Sequence, residues 1–196
     1  MKLFPLLTFA LCTCSCAPKG QLGTTIGKSD NLFPEAWPHP EINLTLAGQE
    51  IPAKVVMNKH GDEREIVIMN GDVRLESELY LVNDSGIFLK RIGPSDGEWY
   101  DPPIPLLKYP AHVGETDRWS GSYAVGDRKI PANAKISLSL EQVSLATGTA
   151  QALRCNVDLV IDDGSNQNVK HALVFWFTKG GGPVKRDFGD QIRAPR

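Results

Sequence analysis

Residues 66–81, Ile66-Val67-Ile68-Met69-Asn70-Gly71-Asp72-Val73-Arg74-Leu75-Glu76-Ser77-Glu78-Leu79-Tyr80-Leu81, decide the fold class. An apolar run ends at Asn70-Gly71, a pair that tolerates positive φ and closes short hairpins. The residues that follow alternate. Val73, Leu75, Leu79 and Leu81 fall on one face of an extended strand, and Arg74, Glu76, Glu78 and Tyr80 fall on the other. Glu76 and Glu78 are thereby expected on a wetted face. A carboxylate pair can perform acid/base work, but alternation with Arg74 makes solvation the simpler role.

The same punctuation recurs on both sides of this hairpin. Upstream, Ile42, Leu44 and Leu46 alternate with Asn43 and Thr45, Gly48-Gln49 turns into a run over 51–57, and His60-Gly61-Asp62 turns again. Downstream, Asn83 to Gly86 closes one strand and Ile87-Phe88-Leu89 begins another. Residues 93–110 hold five prolines and two glycines, which leave ladder positions without donors, so a long ordered loop or an edge is expected there. Strands resume over 119–125, 134–145, 152–161 and 170–178. Leu153, Cys155, Val157, Leu159 and Ile161 share one face, and Leu173 to Phe177 is apolar on both faces. No stretch sustains apolar i, i+3, i+4 spacing behind a cap. The chain reads as all-β: a single antiparallel meander curled into a barrel, half-barrel or sandwich, with little helix.

The beginning of the chain reads differently. In MKLFPLLTFALCTCSCA, one lysine precedes a short apolar run, the layout of a secretory signal and too short for a membrane span. Cleavage after Ala17 by an ordinary signal peptidase would place Pro18 just past the cut, where its fixed φ fits an extended cleft badly. Thr13-Cys14-Ser15-Cys16 resembles the bacterial lipobox instead, which implies acylation of Cys16, with Cys14 as the alternative, by chains such as palmitate. Two or three such chains hold a protein at a bilayer. The expected organisation is a signal peptide over 1–15 that is removed, a lipidated cysteine and flexible Gly/Ser/Thr tether over 16–30, and one β domain over 31–196. No later segment is apolar enough to span a membrane. The expected location is the bacterial cell envelope, at the outer membrane or cell surface.

Two further stretches carry a resemblance. Residues 102–119, PPIPLLKYPAHVGETDRW, and residues 175–186, FWFTKGGGPVKR, are similar to the "Val-Gly-x-Thr-Trp" and "Gly-x-Gly-x-Val-Lys" signatures of bacterial lipoproteins and periplasmic β proteins of unknown function, and Asp84 to Leu89 resembles a shorter piece. These motifs are structural rather than catalytic. Gly180 and Gly182 let the chain reverse so that Val184 returns to the core, and Gly114 turns it so that Trp119 packs.

Chemistry is sparse. A net charge of −2 offers no footprint for nucleic acid. Gly180-Gly181-Gly182 is followed by Pro-Val rather than Lys-Ser or Lys-Thr, against a phosphate loop, and no Gly-x-Ser-x-Gly elbow is present. His39, His60, His112 and His171 never stand at metal-ligand spacing, and residues 162–168 lack the order of a calcium loop, so no metal and no cofactor is expected. Cys155 reads as a small buried hydrophobe. The functional expectation is a lipid-anchored envelope protein that binds or scaffolds without catalysis, its partners being the membrane through the anchor and an apolar small molecule or an envelope protein. The alternatives are a hydrolase assembled only in the fold, for which two of Glu98, Asp101, His112 and His171 would have to converge, and a structural subunit of an envelope complex.

Overall fold

The hairpin over residues 66–81 forms with Gly71 alone at positive φ (57°), while Asn70 ends a strand by pairing with Val73. In the computed structural model the described residues are 21–195 except 39, 47, 94–96, 146–147, 163, 165–167 and 190. They form β1 (Thr25–Ile26), β2 (Glu41–Leu46), β3 (Gln49–His60), β4 (Glu63–Asn70), β5 (Val73–Asn83), β6 (Gly86–Ile92), β7 (Glu98–Lys108), β8 (Ala111–His112), β9 (Thr116–Val125), β10 (Arg128–Leu145), β11 (Gly148–Ile161), β12 (Val169–Thr178), β13 (Gly182–Asp187) and β14 (Gln191–Pro195). The helix among them is one 3-10 turn, Lys28–Asp30.

Twelve of these strands form a single antiparallel sheet in the order β10-β11-β12-β13-β14-β2-β3-β4-β5-β6-β7-β9, which closes on itself as a barrel because β9 also pairs with β10. β1 and β8 make a separate two-stranded ribbon. The all-β expectation holds, and of its three forms the chain takes the barrel. The closing seam is short: β7 pairs with β9 only from Glu98↔Val125 to Asp101↔Ser122, and beyond that the strands part.

That seam explains the proline-rich stretch: the expectation of a loop is corrected, while past Asp101 the strand has a partner on one side only, the edge that is the other expectation. Residues 98–108 are a strand of the wall. Pro102, Pro103 and Pro105 lie past the last β9 partner, where no donor is required on that side, and pairing with β6 is interrupted by irregularities at Ile87/Phe88 and Leu89/Arg91. Trp119 bridges the seam, its Nε1 donating to the Pro102 carbonyl at 2.9 Å.

The inner face carries one continuous core that includes Ile66, Ile68, Tyr80, Leu89, Leu106, Cys155, Val157 and Phe175. Opposite walls meet inside. The Cys155 thiol, buried and pushed up in pKa by that burial, donates to the Leu106 carbonyl at 3.2 Å, from β11 to β7. A second cluster, with Val143, Val174, Trp176 and Val184, includes outward-facing residues of β10 to β13.

Antiparallel pairing places the turns at two ends. The turns at 61–62, 84–85, 109–115 and 179–181 share one end with the chain entry, and those at Gly48, 71–72 and 126–127 share the other. Residues 21–37 lie across the first end as a stopper. Leu22, Ile26, Leu32 and Phe33 are buried in the main core and Trp37 packs on it. The described part of the segment read as a flexible tether, residues 21–30, therefore packs on the barrel, because Leu22 and Ile26 supply apolar side chains that the open end of a barrel needs.

Candidate functional site

The alternation along β5 breaks at one residue. Ile68 pairs with Glu76 and Met69 with Arg74, which leaves Leu75 as the extra residue of a β-bulge. After it the two faces exchange, so Glu76, Glu78 and Tyr80 turn toward the barrel interior. The wetted face expected for Glu76 and Glu78 is thus overturned: Glu78 and Tyr80 are fully buried and Glu76 is 8 % exposed.

Arg186 of β13, fully buried, meets them. Its Nη2 donates to Glu76 Oε2, and its Nε lies 2.6 Å from Glu78 Oε1. The Tyr80 hydroxyl donates to Glu78 Oε2 at 2.5 Å, and the guanidinium stacks 4.3 Å from the Phe188 ring centre. Burial alone would lower the Arg186 pKa; the charges of Glu78 and Glu76 outweigh it and the net direction is up. The cluster links two walls of the barrel through its interior, and its closure to solvent makes its role one of support.

An aromatic series connects this cluster to the stopper. Phe33 lies 5.1 Å from Tyr80, and Tyr80 lies 6.5 Å from Phe175, which stacks 6.2 Å from Phe177. The stopper is also pinned at its rim. Leu22 N–H donates to Gln151 Oε1 at 2.7 Å, Val113 N–H to the Thr24 carbonyl at 2.9 Å, and Lys28 and Lys59 pair with Asp84 and Glu35. Asp30 accepts from Gly27 N–H and from Lys179 Nζ, both at 2.9 Å.

For Asp30, burial pushes the carboxyl pKa up, yet the Gly27 N–H and the Lys179 ammonium outweigh burial and hold it below the ordinary 3.8. A depressed folded value stabilises the folded form above the unfolded pKa and loses that contribution as pH falls through the folded one. Protection of residues 24–33 from hydrogen exchange is expected to fall as pH drops below 3.8. Asp30→Asn should remove that pH dependence and cost about 1 kcal/mol, a low value because the site is near the surface. Unchanged acid protection in the variant and the parent would count against the Asp30–Lys179 clasp.

Between the stopper and the β3–β4 and β5–β6 turns lies a groove of about 750 Å³ whose wall includes Lys28, Glu35, Lys59, Asp62, Arg64 and Asp84. Its charges are of both signs, and Lys28, Lys59 and Arg64 pair with Asp84 and Glu35. A second groove, about 490 Å³, follows the parted seam over Leu106, Ile136 and Leu138, and the Lys108–Asp117 pair at 2.5 Å stands at its wall. Tyr109, half-buried beside the first groove, has its pKa pushed up to about 12 by burial and then by the Asp30 charge.

The residues named for an assembled hydrolase stay apart. His112 meets Thr25 Oγ1 at 3.2 Å, Asp101 pairs with Lys129 at 3.2 Å, Glu98 lies 3.5 Å from the Tyr100 hydroxyl, and His171 is exposed on β12. Neither groove is walled by two of them. Gly180, Gly182 and Gly114 take φ of 67°, 74° and 91°, as turns require, and Trp119 packs as expected. Val184 is buried, but in the outer cluster. Cys16, Cys14, His39 and most of the 162–168 turn lie outside the described residues. Sequence reading placed Glu76 and Glu78 on the wrong face and missed Arg186 as their partner. The only signal for the pairing was that Glu78 and Arg186 each stand two residues before an aromatic, Tyr80 and Phe188.

No family model matches this chain, and no curated protein matches its sequence. Two solved structures resemble the chain in shape. One is a candidate lipoprotein from Parabacteroides distasonis, at 12 % identity and a TM-score of 0.48, over 83 % of this chain and 95 % of that one. The other is the hypothetical lipoprotein YmcC from Escherichia coli, at 11 % identity and a TM-score of 0.46, over 81 % and 86 %.

Proposed function

We propose that the chain is an envelope protein held at a bilayer by acyl chains on Cys16, with the barrel as a rigid, non-catalytic module that scaffolds other envelope components. The observation that carries this reading is the way the stopper joins the lipobox to the body: Leu22, six residues after Cys16, is already buried in the barrel core. An anchor so close to the first packed residue couples the membrane to a stiff domain. The interior favours scaffolding over enclosure of an apolar ligand, since its inward side chains form one continuous packed core.

The test is expression in a bacterium that processes lipoproteins, followed by detergent-phase partition and mass measurement of the N-terminal peptide. The parent is expected in the detergent phase with a diacylglyceryl mass on Cys16. Cys16→Ser is expected to move essentially all of the protein to buffer, whereas Cys14→Ser leaves partition unchanged. A purified chain that begins elsewhere with a bare amino group overturns the proposal.

A further inference from the structure

Which side of the barrel faces the membrane follows from where Leu22 is fixed on it. Six peptide units separate Cys16 from Leu22, and an extended chain covers at most ~3.6 Å per residue, so Leu22 lies within about 25 Å of the acylated sulfur. Leu22 is no swinging point. Its N–H is bound to Gln151, and the following residues are held by Val113, by Asp84 through Lys28, and by Lys179 through Asp30. These contacts spread across the turns of one barrel end. The opposite end is a strand's length away: β5 alone has 11 residues, about 35 Å of extended chain.

From these lengths and contacts we infer that the stopper-bearing end of the barrel lies against the lipid headgroups and that the end with the 71–72 and 126–127 turns points away. This rests on the acyl anchor proposed above. The surface around Leu22 has the chemistry for such a neighbour. β10 and β11 continue to pair out to Leu145↔Gly148, beyond the last β9 partner of β10 (Ser137↔Thr116) and the last β12 partner of β11 (Leu153↔Phe177). This arm holds Gln151 beside Leu22, and Ser144 and Thr149, opposite each other on the face that Gln151 shares, are exposed with Thr24 and Thr25. Uncharged hydroxyls of this kind hydrogen-bond phosphate and glycerol oxygens without opposing an anionic leaflet.

The experiment uses the full chain, processed in a lipoprotein-competent bacterium and reconstituted into phosphatidylethanolamine/phosphatidylglycerol vesicles that carry a headgroup-linked fluorescence quencher. Thr149→Cys and Asp72→Cys, both at exposed positions, are labelled in separate samples; Cys155 is buried and stays unlabelled. Quenching at residue 149 is expected to be several-fold greater than at residue 72. Inserting twenty Gly/Ser residues between Pro18 and Lys19 should reduce that ratio toward one. Protein that carries acyl chains on Cys16 and floats with vesicles, yet shows equal or reversed quenching, overturns the orientation alone, and so does a ratio that the insertion leaves unchanged. Protein without acyl chains that stays in buffer overturns the anchor and the orientation with it.

Discussion

Arg186→Met is expected to destabilise the barrel by about 3–5 kcal/mol, lowering its melting temperature by about 10–15 °C. The substitution keeps the length of an apolar stem while removing the charge that Glu76 and Glu78 face inside the barrel. Glu78 is closed to water and Glu76 nearly so, and a buried carboxylate without its counter-charge either ionises at high cost or takes up a proton. The pH dependence therefore has a definite sign. Taking up a proton removes that uncompensated buried charge, so the variant should recover part of its loss as pH falls. Adding Glu76→Gln and Glu78→Gln to Arg186→Met should restore stability at neutral pH, because neutral amides tolerate the site better than charges do. Thermal melts of the parent, the single variant and the triple variant between pH 4 and pH 8 check this. A single variant as stable as the parent would show that the ion cluster does not support the barrel.

Gly86→Ala should cost about 2–5 kcal/mol, from backbone strain and overpacking together. Gly86 opens β6 at φ 151°, a conformation that side-chain-bearing residues rarely adopt. A Cβ there would collide with the Leu107 carbonyl oxygen and approach the Leu107 carbonyl carbon to 3.0 Å and Lys108 Cα to 3.1 Å. These are backbone atoms of the paired strand β7, so relief requires the β6–β7 ladder to shift. Gly71→Ala is the comparison. That glycine also has positive φ, but nothing lies within 4 Å of the added carbon, and its cost should stay at about 1–2 kcal/mol. Denaturant midpoints with unchanged slopes would measure both, and equal costs would refute the close approach of β6 to β7.

The turns were the most legible part of the chain. Gly61, Gly71, Gly86 and Gly180 each mark a reversal and each takes positive φ, because a chain can announce its tight turns by the residues that tolerate them. Strand character was equally readable wherever alternation ran unbroken, as from Leu153 to Ile161, whose odd-numbered residues all reach the core. Proline misled the reading of residues 102–105, since the cost of a missing N–H depends on whether a neighbour asks for it, and β9 has parted from β7 there. The candidate site was the least legible. Whether Glu76 and Glu78 face water or core is set by one bulged residue, Leu75, and a bulge belongs to the pairing with β4 rather than to β5 itself.

The sequence by itself determined that this protein is built of antiparallel strands, because period-two alternation and turn residues are local properties of the chain. Tertiary structure alone decided that the sheet closes, that residues 21–37 stopper one end, and that Arg186 meets Glu76 across more than a hundred residues of chain. Each of those depends on register between distant strands, and a shift of one residue in that register exchanges the inside of a barrel for its outside.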